Sequence, residues 1–342
     1  MFALLVPPGP TLHDAVSYLA MVRGPVTAVN SPFCYRVGAP LLARVWPGSP
    51  QAGLAAVTFV SMALAVMLWF RMGRGLGLSR RALGMAGLAI ASTQAWMGLF
   101  NNPYLTDGAG LLGLTAGWAA WVADAFWWVL PVLALGPLFR ETVAPVALLW
   151  ARDRRWGRFA LALLLVVAPL AAVRMAPGMP SSASSEGALL HALRMKGVFA
   201  NLGDALASYH ALWWLAGVGL RRAPAERLRV LVPPLVLFLA VAGVLSLLGN
   251  TVRMFALAMP FMALAVAECF EALAQRDARA AWALAAVLSL GVFVWYPTRP
   301  LGAGVSAHPV FQYLFAAVAL LASALALRRA YGRDLAPRPL TR

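Results

Sequence analysis

Residues 51–70 read QAGLAAVTFVSMALAVMLWF, twenty positions without a charge, and the pattern recurs down the chain. Comparable runs lie at 82–100, 107–123, 125–139 with a half-length run at 142–151, 159–173, 205–220, 230–249, 252–270, 280–297 and 309–327. A helix needs about 20 apolar residues to cross a hydrocarbon core of about 30 Å. Inside that core every backbone N–H and C=O must be satisfied within the segment, which a helix does alone. The pattern predicts an all-α fold, a polytopic transmembrane helical bundle of about 10 to 11 spans or half-spans, with short interfacial helices on the extracytoplasmic side.

Composition agrees. Soluble domains carry about 25% charged residues; this chain carries 12%, with 62% hydrophobic residues and a mean hydropathy of +0.76. The 28 Lys+Arg against 12 Asp+Glu do not signal nucleic-acid binding, because they form no single patch. They punctuate the apolar runs, as orientation by the positive-inside rule requires. Arg71, Arg74, Arg80 and Arg81 fall in one gap, and Arg152, Arg154, Arg155 and Arg158 in another. Arg221, Arg222, Arg227 and Arg229, then Arg276 and Arg279, then Arg328, Arg329, Arg333, Arg338 and Arg342 follow. If the spans alternate, all these segments share one side, which is therefore cytoplasmic together with the C-terminus. The protein is expected in a bacterial cytoplasmic (inner) membrane.

Span 51–70 then runs inward, and the residues before it lie outside. MFALLVPPGP lacks the basic region and apolar length of a cleavable signal. Either a short tail is translocated, or the natural chain begins upstream with one further helix, and we expect the latter. No internal repeat or domain boundary is visible. The chain reads as one membrane domain over 1–342. It has an extracytoplasmic loop with interfacial helices at 11–48, core spans at 51–173 and a second outer loop at 174–204. C-terminal spans at 205–327 and a basic tail at 328–342 complete it. SPFCYRVGAPLLARVWPG and ALLHALRMKGVFANLGDAL are the segments read as interfacial, the first with a stripe of Val37, Leu41 and Val45.

An ionisable group at membrane depth costs about 2.5 to 3.5 kcal/mol, so each needs a reason. The outer-face set is Asp14, Tyr18, Arg36, Asn101, Asn102, Tyr104, Asp107, Arg140, Glu141, His191, Arg194, Lys196 and Arg253. Asp14 completes a capping-box form, Thr11-Leu12-His13-Asp14, and equally could stand at a cleft as a general base with Tyr18 one turn on. Asp107 opens TDGAGLLGLTAG as an N-cap or as a second site acid. Its Gly113-x-x-x-Gly117 spacing allows close helix packing. Arg140 and Glu141 interrupt an apolar stretch before Pro145, the form of a broken helix that lines a polar path or makes an internal salt bridge. Arg253 lies in the first turn of a helix, where anions are favoured. A carboxylate partner, an anionic ligand or snorkelling to lipid phosphate would each account for it. Cys34 and Cys269 are placed toward opposite faces, too far apart for a disulfide. The four histidines show no metal-ligand spacing, and no cofactor is expected; a divalent metal stays open as an alternative that no cluster in the sequence supports.

The order of these elements resembles the polyprenyl-phosphate-sugar-dependent glycosyltransferases of the GT-C superfamily, the mannosyltransferase and arabinosyltransferase kind. HDAVSYLAMVRG supplies an outer acid with an aromatic after it, and PFCYRVGAPLLARVW an interfacial segment. TDGAGLLGL, LFRET and TVR supply the later acid, the Arg-Glu element and the outer arginine. The likeness covers residues 11–160 best. It implies catalytic roles for Asp14 and Asp107, and substrate binding by Tyr18, Arg36, Asn102, Tyr104, Arg140, Glu141 and Arg253. It implies transfer from a lipid-linked sugar in the bilayer to an envelope or lipid acceptor, with inversion as the default. The family's first helix would precede Asp14, and its fuller first-loop pattern is here a single acid. Competing expectations are a transporter or flippase for a lipid-linked or anionic substrate, and a catalytically inactive scaffold of the same fold.

Overall fold

The computed structural model describes residues 13–30, 33–100, 102–179, 198–246, 251–291 and 309–331, and everything described is helix, turn or connecting backbone. In chain order the α-helices are α1 His13–Arg23, α2 Gly38–Arg44, α3 Pro50–Gly75, α4 Arg80–Ala91, α5 Gln94–Phe100, α6 Asp107–Val122 and α7 Phe126–Phe139. A 3-10 segment, Glu141–Ala147, leads into α8 Leu148–Arg152 and α9 Trp156–Arg174. Then come α10 Val198–Tyr209, α11 Leu212–Arg222, α12 Ala225–Ser246, α13 Thr251–Phe255, α14 Met259–Arg276, α15 Ala278–Ser289 and α16 Pro309–Tyr331. Five described helices are long and apolar enough to cross a membrane: Pro50–Gly75, Trp156–Arg174, Ala225–Leu245, Val252–Arg276 and Tyr313–Tyr331. The pair α4 and α5 makes a sixth if counted as one span, bent by 71°.

Most apolar runs became helices near their expected bounds, and the departures have local causes. The run 82–100 breaks at Ser92 and Thr93, whose hydroxyls donate 2.7 Å hydrogen bonds to the carbonyls of Ala89 and Ile90 and compete with the helical ladder. The run 205–220 breaks at His210, which takes a left-handed φ of 38°. After Arg140 the chain tightens into 3-10 geometry, with Pro145 unable to donate to an α-helical ladder. The stripe Val37, Leu41 and Val45 does not form one face: Val37 is buried, while Leu41 and Val45 are exposed. Helix α2 instead buries Ala39, Pro40 and Ala43 and turns Leu41 and Leu42 outward, with Trp46 exposed just after it. Asn101, His191, Arg194 and Lys196 lie outside the described residues, as does the first part of ALLHALRMKGVFANLGDAL.

The chain folds into two compact units, neither continuous in sequence. The first gathers residues 1–72, 98–204 and 233–260, the second 73–97, 205–232 and 261–342. The first has a core centred on Tyr18, with Leu19, Met21, Leu54, Tyr104 and Leu105 around it. Its distinctive packing is between α6 and the 3-10 segment. A Cβ on Gly113 would meet Val143 at 2.8 Å, and one on Gly117 would meet Val146 at 2.7 Å. A Cβ on Gly110 would meet the Arg140 side chain at 2.9 Å. One glycine face therefore lets an irregular strand of backbone lie flat on a helix, as small residues do between membrane helices.

In the second unit α4 packs on α15, and α15 on α16. Gly219 of α11 lies so close to the Ala265 carbonyl of α14 that no larger residue fits. Arg227 and the buried Glu268 pair at 2.9 Å, and Arg227 also reaches the Gly77 carbonyl.

These contacts predict that Gly113→Val and Gly117→Val each destabilise the protein by about 1–3 kcal/mol through overpacking. Gly84→Ala, with nothing within 4 Å of the added carbon, is expected to be neutral or stabilising by about 0.5–1 kcal/mol. Thermal midpoints of the purified proteins in one detergent check both.

Candidate functional site

Most of the polar residues singled out in the sequence meet in the first unit, in a ring of alternating charge. Asp14, in the first turn of α1, accepts from Arg253 Nη1 at 2.9 Å. The Nη2 and Nε of Arg253 donate to one oxygen of Asp107 at 2.9 and 3.2 Å. The other Asp107 oxygen is in contact with Arg140 Nη1. Glu141 follows Arg140 in the chain, and both its oxygens take the Arg36 fork, at 2.7 and 2.8 Å. Arg36 Nη1 then donates to Tyr18 Oη at 2.9 Å. Tyr18 sits one turn after Asp14 on α1, which closes the ring.

Each member is placed by a different local device. Arg140 ends α7 in extended backbone at φ −158°, which aims its side chain toward α6, where Gly110 leaves room. Asp107 begins α6 with its carboxylate at the positive end of the helix dipole. Adjacent residues on a chain point apart, so Arg140 and Glu141 serve different partners. Phe33 was not singled out from the sequence. It meets Tyr18 edge-on at 6.0 Å, lies 6.0 Å from the Arg36 guanidinium, and so holds the side of the ring where those two meet. Met254 is a second unforeseen neighbour, its Sδ 4.0 Å from Arg140 Nη2.

Three carboxylates face three guanidiniums, and the ring is most open at Asp14 and Glu141. The side chains of Arg140 and Asp107 are 2% and 5% exposed, those of Asp14 and Glu141 22% and 38%. Asp107 has both oxygens on arginines and is suited to holding cations in place. Asp14 is partly exposed and accepts one hydrogen bond from Arg253, whereas Glu141 is held by two from Arg36. The Glu141 pKa is lowered to about 2: burial pushes it up, but the charge and hydrogen bonds of Arg36 outweigh that. Asn102 is spent elsewhere, donating to the Gly98 carbonyl at 2.8 Å at the end of α5. Tyr104 is buried in the apolar core with Tyr18.

Beside the ring lies an apolar groove of about 560 Å³, walled by α2, α3, α6 and α7. Leu42, Trp46, Val60, Leu112, Leu135 and Phe139 are among its lining residues. Phe139 immediately precedes Arg140, and Ala109, also on the wall, lies two residues after Asp107, so the groove and the ring draw on neighbouring residues of α6 and α7. Among the described residues no three His, Cys, Asp or Glu side chains come together as a metal-binding group. No protein-family model, curated protein or solved structure matches this chain.

Two predictions follow from the ring. Arg140→Met leaves one oxygen of the buried Asp107 without its cation, Arg253 holding the other, and is expected to cost about 1–3 kcal/mol. The double variant Asp107→Leu with Arg140→Met should recover much of that loss, read as thermal midpoints of the single and double variants. The second concerns pH. A depressed carboxylate stabilises the fold above its unfolded pKa and loses that contribution as pH falls toward the folded value. The midpoint difference between wild type and Glu141→Gln should therefore be constant from neutral pH to just above 4.5, then shrink and vanish near pH 2.

Proposed function

We propose that this protein is an integral-membrane glycosyltransferase of GT-C type, moving a sugar from a polyprenyl-phosphate donor to an envelope or lipid acceptor at the extracytoplasmic face of a bacterial inner membrane. The observation that carries this reading is the ring itself: a partly exposed carboxylate, Asp14, beside fixed guanidiniums, in a unit whose helices α6 and α7 also wall an apolar groove. The polyprenyl tail lies in the groove, and the phosphate sits at the ring. On this reading the remaining apolar runs complete the 10 to 11 spans and half-spans, and α2 rides at the outer interface with Leu41 toward lipid and Leu42 toward the groove.

The chemistry follows from the charges. An acceptor hydroxyl loses its proton to Asp14 as its oxygen bonds to the anomeric carbon. The bond from that carbon to the phosphate oxygen breaks, and the phosphate leaves with the electron pair. Fixed guanidiniums stabilise the charge that develops on it, without reorganising during the step. Arg253 has a double part, since it is bound to Asp14 before substrate arrives. A donor phosphate competes for Arg253, loosens that ion pair and leaves Asp14 able to take a proton. Asp107 is the fixed counter-charge that keeps Arg253 and Arg140 aimed. Attack from the face opposite the phosphate gives inversion.

One observation favours the transporter or flippase reading, the 71° break between α4 and α5, because discontinuous helices line the pathways of transporters. That reading predicts movement of a lipid-linked substrate across the bilayer without an acceptor and without a new glycosidic bond.

The deciding experiment uses proteoliposomes with labelled polyprenyl-phosphate sugars and total envelope acceptors. Wild type is expected to transfer label, and Asp14→Asn to lose roughly a hundredfold or more in rate, the share a general base supplies. Asn keeps an oxygen that can accept from Arg253, and Arg253 keeps Asp107, so the variant is expected to fold, which its thermal midpoint checks. Equal transfer by both proteins would remove Asp14 from the chemistry. Transbilayer movement of donor without product would favour the transporter.

A further inference from the structure

The end of the first unit opposite the ring carries a second cluster of charge. Helix α6 leaves the ring at Asp107 and reaches Val122 about 24 Å away at 1.5 Å per residue. Two turns meet there, 123–125 before α7 and 153–155 before α9. Asp124 in the first and Arg154 in the second have φ of 49° and 58°, the left-handed region that an arginine enters only where its surroundings hold it.

The two turns are tied together by charge. The Asp124 carboxylate receives Arg158 Nη1 at 2.5 Å and is also in contact with Arg155. Arg158 lies 5.4 Å from the centre of the Phe126 ring, and Arg152 5.7 Å from that of Trp121. Trp121 Nε1 donates to Asp153 at 3.0 Å. Arg152, Arg154, Arg155 and Arg158 thus face only two carboxylates, Asp124 and Asp153, and the corner keeps an excess of positive charge. Arg154 makes no ion pair among the described residues. Beside these arginines, Trp127, Trp128 and Trp156 stand at the starts of α7 and α9, exposed to 76%, 78% and 62%.

We propose that this corner is a binding site for an anionic phospholipid of the cytoplasmic leaflet. Its occupant is set by the combination of residues. Tryptophan is favoured at the headgroup level, where one edge meets hydrocarbon and the N–H meets polar groups. Arginine forks match the oxygens of a phosphate. The headgroup phosphate sits against Arg154 and Arg155, and the acyl chains lie along Trp127, Trp128 and Trp156. A zwitterionic lipid brings the same phosphate but also a cation that the excess positive charge repels. The loop with Arg221 and Arg229 is equally basic yet lacks this paired-turn scaffold, so it serves as an internal control. The proposal does not depend on the glycosyltransferase reading.

The test is native mass spectrometry of the full chain in neutral detergent, titrated with phosphatidylglycerol or with phosphatidylcholine of the same acyl chains. Wild type is expected to retain phosphatidylglycerol selectively. Arg154→Gln with Arg155→Gln should weaken that binding about fivefold per arginine, since each cation near an anionic lipid contributes about 1 kcal/mol, roughly fivefold in affinity. The paired Lys replacements should keep most of it, and Arg221→Gln with Arg229→Gln should leave it unchanged. Equal retention of the two lipids by wild type would overturn the proposal, and so would an equal loss in the control variant. Because the comparison of lipids uses unaltered protein, a folding defect in a variant cannot protect the idea.

Discussion

A guanidinium buried among apolar helices has to be answered by a carboxylate, and in this protein Asp107 answers two at once. Its oxygens hold Arg140 on one side and Arg253 on the other, with both neighbouring side chains largely out of solvent. The cost of burying an unpaired charge is several kcal/mol, so the first unit closes only with these elements in register. Helix α1, the start of α6, the end of α7 and helix α13 are brought together by that requirement. The segments it joins stand far apart in sequence, from Asp14 to Arg253.

The same requirement divides the labour within the ring. Three carboxylates balance three guanidiniums, so the cluster carries no net charge, and neutral Tyr18 closes it between Arg36 and Asp14. Deeply buried members are locked and give the site its shape, while the more exposed Asp14 and Glu141 are the groups that can meet a ligand. Glu141 is held ionised by a two-point fork from Arg36. Asp14, held by one hydrogen bond from Arg253, is the more easily released. A lipid-phosphate donor would enter with its own negative charge and compete for the cation that now holds Asp14, so substrate binding and activation of the base become one event in the proposed mechanism.

The two ends of the first unit use arginine for different ends. At the ring, arginines face carboxylates in a closed circuit beside an apolar groove. At the other end of α6 they outnumber their carboxylates and stand beside exposed tryptophans, which suits a lipid surface more than a buried reaction. Glycine has a comparable double use. Gly113 and Gly117 were legible as a small-residue spacing, but their partner was not: it is the 3-10 segment after Arg140, and not a second regular helix. That close approach sets where Arg140 stands.

Much of the architecture follows from local pattern. Long charge-free runs favour helices, because a helix satisfies its backbone within one segment, and hydroxyls at Ser92 and Thr93 end one of them early. Asp14, Asp107, Arg140, Glu141 and Arg253 were legible as costly charges in an apolar chain. Asn102 was legible for the same reason yet is used as a local backbone partner. What the sequence by itself could not contain is pairing, since Asp14 is compatible with a cap or a base until Arg253 is seen beside it. Nor could periodicity find Phe33, an apolar residue among many, or foretell that α2 turns Leu41 and Leu42 outward. Helix formation is decided by neighbours a few residues away, and so sequence determines it. Which charge answers which, and which carboxylate stays open, depends on contacts across more than two hundred residues that only the tertiary structure makes.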